Sequence, residues 1–268
     1  MDDARCNFHE PTNADILIGK GGYGSIYKIV GKGCVVKVSH TSLPCREIRH
    51  EYDMTRALEA ALSTSLTAAE KRYIGIIRPS RFGSCRGRCC FMMQHLLPLA
   101  AQDQFVTQAY LAIPKHSKTI SNRNQVRGIY RGAAELSNVL RPYAMNVIGI
   151  AYHVGVAVAA MHYGARLSGI DTEIVIAFSK VRSTHPKIYI IDHDRNGHLD
   201  LSKHQKTISL LSSLLGSGEP YYPLHGRLGA AFQAGYLKKA RNLGFEKLAV
   251  DVLQMTMLES AASPPLPL

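Results

Sequence analysis

Lys37, Asp171, Glu173 and Asp192 are the side chains whose type and setting could do chemistry. Lys37 lies in "VVKV", shortly after a glycine-rich stretch, "IGKGGYGSIYKI", that carries Gly19, Gly21 and Gly24. Glycines let a backbone approach phosphate oxygens closely, with N–H groups aimed at them. A lysine on the following strand adds a point charge for the same oxygens. Much later, "IYIIDHD" is an apolar stretch ending in Asp192, a carboxylate suited to carry Mg²⁺ when a nucleotide is bound. Asp171 and Glu173 stand just before another apolar stretch, "IVIAF". Clustered carboxylates raise one another's pKa, which suits acid–base work or metal binding.

These residues need elements to hold them. "DILIG", "SIYKIV" and "CVVKVS" predict three short antiparallel strands, with a glycine turn after the first and "GKG" after the second. Residues 44 to 62 predict a helix, with Pro44 suited to its start. On it Glu47 and Glu51 share a face at i and i+4, so either could hold Lys37; Glu51 is the expected partner. "IGIIRPSRFGS" and "CCFMMQHL" read as two more strands, the second running into a hinge near 94 to 97. Residues 97 to 144 are polar and irregular, with Arg123, Arg127, Arg131 and Arg141 among them. A long apolar helix spans 144 to 165, then "TEIVIAF" and "KIYIIDHD" read as strands, and 202 to 258 as mainly helical.

The order of glycine loop, strand lysine, helix glutamate and strand-end aspartate resembles that of protein kinases. It predicts an α+β, two-lobe protein-kinase-like fold, a small antiparallel β-lobe plus a larger, mainly helical lobe. The boundaries are an extension at 1–14, the small lobe at 15–96, the helical lobe at 97–258 and a proline-rich tail at 259–268. One part departs from the pattern. A kinase needs H-R-D-L-x-x-x-N, the Asp acting as base and the Asn holding a second Mg²⁺. In "HYGARLSGIDTEIVIAF", His162 fits the His, Gly164 stands where the Asp should be, and Glu173 takes the Asn position. An acidic cluster of Asp171, Glu173 and Asp192 is expected in the cleft.

Composition bounds the rest. The chain has 268 residues, 46% apolar and 19% charged, which reads as globular rather than disordered. No apolar run reaches the roughly 18 residues of a membrane span, and "MDDARCNFHE" is no secretory signal. A soluble, cytoplasmic protein without a membrane partner is expected. The six cysteines are scattered, so free thiols in a reducing compartment are expected. "CRGRCC" lacks the second ligand pair that a zinc site needs. The net charge of +12 favours a polyanionic partner.

"AAMHYGARLSGIDTEIVIAF", "IYIIDHDRNG", "EPYYP" and "AFQAGYLKKA" resemble a fungal family of kinase-like proteins of unknown function that long carried a misleading zinc-finger label. Its members tend to read "D-V-E-F-V-L-G", "L-D-F-D", "P-Y-Y-P" and a closing "F…Y-L" helix. The resemblance spans roughly residues 15 to 245. That family is associated with arginine-containing cyclodipeptide synthases of secondary metabolism, whose D-D-x-x-E motif falls here on Gly169, Ile170, Asp171, Thr172 and Glu173; only the final Glu matches cleanly.

Three functions follow. The resemblance implies a cyclodipeptide synthase-like aminoacyl transferase that joins arginine from arginyl-tRNA to the aminoacyl group of a second tRNA, with no cofactor. Glu173 would hold or deprotonate the amine, and Asp171 and Asp192 would read the guanidinium. The second is an ATP- and Mg²⁺-dependent phosphotransferase with Lys37 on the phosphates, Glu51 orienting it and Asp192 on the metal. The third is a pseudokinase binding module without turnover.

Overall fold

Six consecutive buried residues, Cys34–Ser39, make the central strand of the first sheet. The computed structural model describes residues 11–12, 14–20, 22–40, 45–99, 107–111, 129–179, 185–217 and 222–262. Gly21, Pro44, Arg123, Arg127, most of the N-terminal extension and the proline-rich end lie outside them.

Strands β1 (Ile16–Lys20), β2 (Gly24–Lys28), β3 (Cys34–Ser39), β4 (Pro79–Cys85) and β5 (Arg88–Gln94) form an antiparallel sheet in the order β1-β2-β3-β5-β4. Val36, Val38, Cys90 and Met92 pack together on one side of it. On the other, helix α1 (Cys45–Ser65) sets Ile48 and Tyr52 against Phe91 of β5. Lys37 pairs with Phe91 in register. Residues directly opposite across a strand pair share a face, so Lys37 points toward α1. Glu51 is buried on α1 between Ile48 and Tyr52, which is where a side chain three or four positions from core residues must lie.

The chain leaves this sheet at Gln94, whose side-chain amide donates to the Ser179 hydroxyl at 2.7 Å. Strand β6 (Leu96–Leu97) then pairs with β9 (Glu173–Ser179) of a second sheet, so the chain passes from one sheet to the other within 94–97. That sheet runs β10-β9-β7-β8, with β10 at Lys187–Ile191. Its β7 (Thr107–Tyr110) and β8 (Ile129–Gly132) are parallel and lie in the segment expected to be irregular. The second part is therefore not built of helices alone. Ile74–Arg78, expected in a strand, makes only a bridge from Ile74 to Ile188.

Around the second sheet lie α2 (Ala133–Leu140), α3 (Val147–Ala159), α4 (His204–Ser217), α5 (Gly226–Asn242) and α6 (Glu246–Ala262). Asn146 caps α3 by accepting the Gly149 N–H at 2.7 Å. Val147–Gly164 has the length and hydropathy of a membrane span, against expectation, but 67% of it is buried within the fold. It lies against α5 because glycines meet there. A Cβ on Gly155 would sit 2.1 Å from the Phe232 carbonyl oxygen, and one on Gly235 2.0 Å from that of Tyr152. The chain is α+β, a β-sheet lobe and a helical part.

The cysteines differ from expectation. Cys45 is bonded to Cys89 and Cys85 to Cys90, Cys34 is also disulfide-bonded, and none is free among the described residues. The fold brings the first residue of α1 onto β5 and folds β4 back on β5, leaving Cα–Cα separations of 5.2 and 6.0 Å, within bonding range.

Candidate functional site

The register of two strands assembles the site. Glu173, which opens β9, lies opposite Ile191, which closes β10. The segments just outside them, 171–172 and 192–194, are thereby neighbours at one end of the second sheet. Asp171 and Asp192 both adopt left-handed backbone, at φ 60° and 59°. Such conformations are uncommon for residues other than glycine and aim side chains where regular strands would not.

Lys37 meets this corner from the first sheet. Its Nζ lies 2.7 Å from the Glu51 carboxylate and 3.5 Å from Asp192 Oδ1, and Lys37 and Glu51 are 6% and 4% exposed in their side chains. Burial opposes the lysine's charge, but Glu51, Asp192 and Asp194 together outweigh it and hold Lys37 above its ordinary value. Burial pushes Glu51 up to about 7 against the pull of Lys37, and Asp192 and Asp194 push the same way. Asp194 rises to about 6, through burial first and then Asp192. Asp171 adds to that rise, while Lys37 and Arg195 resist it. Three carboxylates thus share one ammonium.

Arg195 was not singled out from sequence, nor was Asp194. Arg195 Nε lies 3.3 Å from Asp171 Oδ2, and the Tyr23 side chain, in the turn between β1 and β2, and Asp171 both hold the guanidinium's pKa above its ordinary value. An ion pair therefore joins the 171 segment to the turn after β10. The only sequence signal for it is the charge of "DHDRN" directly after an apolar strand.

The other expected residues are distributed unevenly. Glu47 does not hold Lys37; Glu51 does. A Cβ on Gly24 would meet the Val38 carbonyl oxygen at 2.7 Å, so Gly24 is required by the approach of β2 to β3, whatever it does for a ligand. Gly19 lies opposite Ile26 with a Cβ contact of 3.3 Å, and Gly21 is outside the described residues. Glu173 is half-buried at the strand start. His162 is fully buried, its Nδ1 2.9 Å from the Tyr236 hydroxyl, and burial drops its pKa to about 3. Gly164, at the position of a kinase base, faces Ala61 and Ser65 of α1 instead of the carboxylates. Of the four arginines between 123 and 141, only Arg141 has a described side chain, and it is exposed.

The corner fits a divalent cation held jointly with phosphate. Asp192 Oδ1 and Asp194 Oδ1 are buried without a hydrogen-bond partner. Among the described residues no group of three His, Cys, Asp or Glu side chains is gathered closely enough to hold a metal unaided. Mg²⁺ is ordinarily bound by one or two carboxylates, waters and substrate phosphates, which is the set this corner can complete.

No protein-family model matches the chain, and no curated protein matches it. Neither comparison ties it to the fungal family or to the cyclodipeptide synthases. Among solved structures, the PknI kinase domain of Mycobacterium tuberculosis is similar at 13% identity and a TM-score of 0.38, over 89% of this chain and 94% of that one. A likeness so slight assigns no activity.

Proposed function

We propose that the cleft between the two sheets binds a nucleoside triphosphate with Mg²⁺ and serves phosphoryl transfer in the manner of a kinase-like fold. One observation carries the reading: a buried lysine held between a helix glutamate at 2.7 Å and a strand-end aspartate at 3.5 Å, below a glycine-bearing hairpin. Lys37 would neutralise phosphate oxygens, Glu51 fixes its ammonium, and Gly19, Gly21 and Gly24 would line the hairpin over the phosphates. Asp192 would hold the metal, whose charge offsets that developing on the transferred group. Gly164 supplies no base. Asp194, with a buried unpartnered oxygen and a pKa near 6, is ionised at pH 7 and basic enough to accept a proton from an acceptor hydroxyl. Glu173 would stand beside it, and Asp171 is engaged by Arg195.

The test is calorimetric titration of the protein with ATP, with and without Mg²⁺. Saturable binding that Mg²⁺ strengthens is the expected result, with binding lost in Lys37→Met and the strengthening by Mg²⁺ lost in Asp192→Asn. Heats indistinguishable from dilution in the folded wild-type protein would refute the proposal.

The +12 charge favours a second reading, transfer of aminoacyl groups from bound tRNA with Glu173 and Asp171 at the amine. Phosphate contacts release counterions, so tRNA affinity would fall steeply with salt. A new arginine-containing cyclic dipeptide in the medium of an expressing host would favour this reading over the first. Its absence, with no salt-dependent tRNA binding, would remove it.

A further inference from the structure

We infer that Asn196 is the residue that positions Asp192, by tying the 192–194 turn to the 169–173 loop and to α1 together. Its functional consequence rests on the nucleotide reading of the cleft; its structural content does not.

Asn196 is 2% exposed, and each of its polar groups is engaged. Its Oδ1 accepts the Gly169 N–H at 2.6 Å. That contact fixes the side-chain amide, so Nδ2 faces His193 Nδ1 at 3.1 Å. An amide nitrogen only donates; His193 Nδ1 therefore accepts, and the ring carries its proton on Nε2. The Asn196 backbone N–H donates to the His193 carbonyl at 3.3 Å, closing a turn. Its own carbonyl accepts from His50 Nε2–H at 2.7 Å. Each partner adjoins a residue of the site. His193 separates Asp192 from Asp194, Gly169 leads into Asp171, and His50 precedes Glu51.

The tie has work to do. Asp192 holds a left-handed φ of 59°, a conformation that persists only where the surroundings impose it. Its neighbour His193 is 2% exposed, so the backbone at 192 follows the seat of that ring. Asn196 Nδ2 sets the seat. The seam continues beyond it, with the Ser168 N–H donating to the Gly197 carbonyl at 2.9 Å and the Gly197 N–H to Ser168 Oγ at 3.1 Å. Buried with every group occupied, Asn196 touches no ligand. It acts through Asp192, as outer partners of metal-binding groups do, and removing such partners ordinarily costs about 10–100-fold in metal affinity.

Three variants separate the contacts. Asn196→Ala removes both side-chain bonds. Asn196→Asp, the milder change, keeps an acceptor for Gly169 and reverses the His193 contact, the ring now donating from Nδ1. His193→Phe keeps a ring and removes Nδ1. Affinity for a fluorescent ATP analogue is measured in Mg²⁺ and in EDTA. Asn196→Ala and His193→Phe are expected to weaken binding in Mg²⁺ about tenfold or more, Asn196→Asp less, and all three to leave binding in EDTA, which depends on Lys37, near wild type. Combining Asn196→Ala with His193→Phe should add little. Equal losses in both media, no loss in either, or fully additive losses would overturn the inference. Hydrogen–deuterium exchange without nucleotide decides the structural part independently. Asn196→Ala should speed exchange around His50 and in 166–173 while leaving β4 and β5 protected. Exchange that rises only within 193–199, or everywhere, would count against it. Absence of nucleotide binding by the wild-type protein would sink the cleft reading and leave the exchange result to judge Asn196.

Discussion

Lys37–Glu51 and Arg195–Asp171 are ion pairs of neighbouring segments, built in opposite ways. The first closes at 2.7 Å with side chains 6% and 4% exposed. The second spans 3.3 Å with 60% and 44% exposed. Removing one partner from a buried pair strands a charge in a poor solvent and costs about 3–5 kcal/mol, whereas an exposed pair is worth about 0–1 kcal/mol. Lys37–Glu51 is thus a fixed part of the fold. Arg195–Asp171, exposed on both sides, can open at little cost.

The largest effect should come from the sealed pair. Glu51→Ala is expected to destabilise the protein by about 3 kcal/mol or more in urea unfolding. Lys37→Met combined with Glu51→Leu should recover part of that, since no buried ammonium or helix carboxylate is orphaned, while Asp192 and Asp194 lose their shared cation. A loss under about 1 kcal/mol for Glu51→Ala would mean the pair is not sealed.

Glu173 lies between the two cases, half-buried opposite Ile191. Glu173→Gln should leave the fold intact and cut product formation by about 10²–10⁴-fold if its carboxylate moves a proton. Partial rescue by high Mg²⁺ would mark it instead as a metal ligand. Full activity in soluble variant protein would deny it both roles.

Asp194 gives a pH test. Its pKa rises from 3.8 unfolded to about 6 folded, so the folded state binds its proton more tightly. Its contribution to stability is present below about pH 4 and lost as pH rises through about 6. Asp194→Asn should therefore melt higher than wild type at pH 8, match it near pH 4, and lose activity. A variant no more stable at pH 8 would show that the wild-type carboxylate is not strained by its neighbours. Smallest is Arg195→Ala, expected to leave the melting temperature almost unchanged, with any difference erased by added salt. A large, salt-independent drop in melting temperature would show that the ion pair is part of the fold.

The same division between sealed and open explains what the sequence allowed to be read. β1, β2, β3, α1, β9 and β10 follow from local alternation and helical spacing, and Lys37, Glu51 and Asp192 follow from their places on them. Arg195 and Asn196 lie on irregular backbone after β10, where no period applies, and the contact of Asn196 with His50 on α1 joins residues 146 apart along the chain. The parallel pairing of β7 with β8 joins segments 22 residues apart at their starts, Thr107 and Ile129, and carries no hairpin signal. The disulfides were illegible because connectivity is not contained in cysteine spacing. The apolar helix over 144 to 165 is legible, while its span-like hydropathy is not, because His153 and His162 break the apolar run.

The central claim is that Lys37 and Asp192 meet a nucleotide and its metal in this corner. An anomalous-diffraction structure of the protein crystallised with a non-hydrolysable ATP analogue and Mn²⁺ tests it most directly. The account predicts a manganese peak within about 2.0–2.3 Å of an Asp192 carboxylate oxygen, with phosphate oxygens beside Lys37 Nζ and the Arg195–Asp171 bridge open or displaced. Nucleotide bound elsewhere, or a cleft that stays closed and metal-free at saturating analogue, would contradict it.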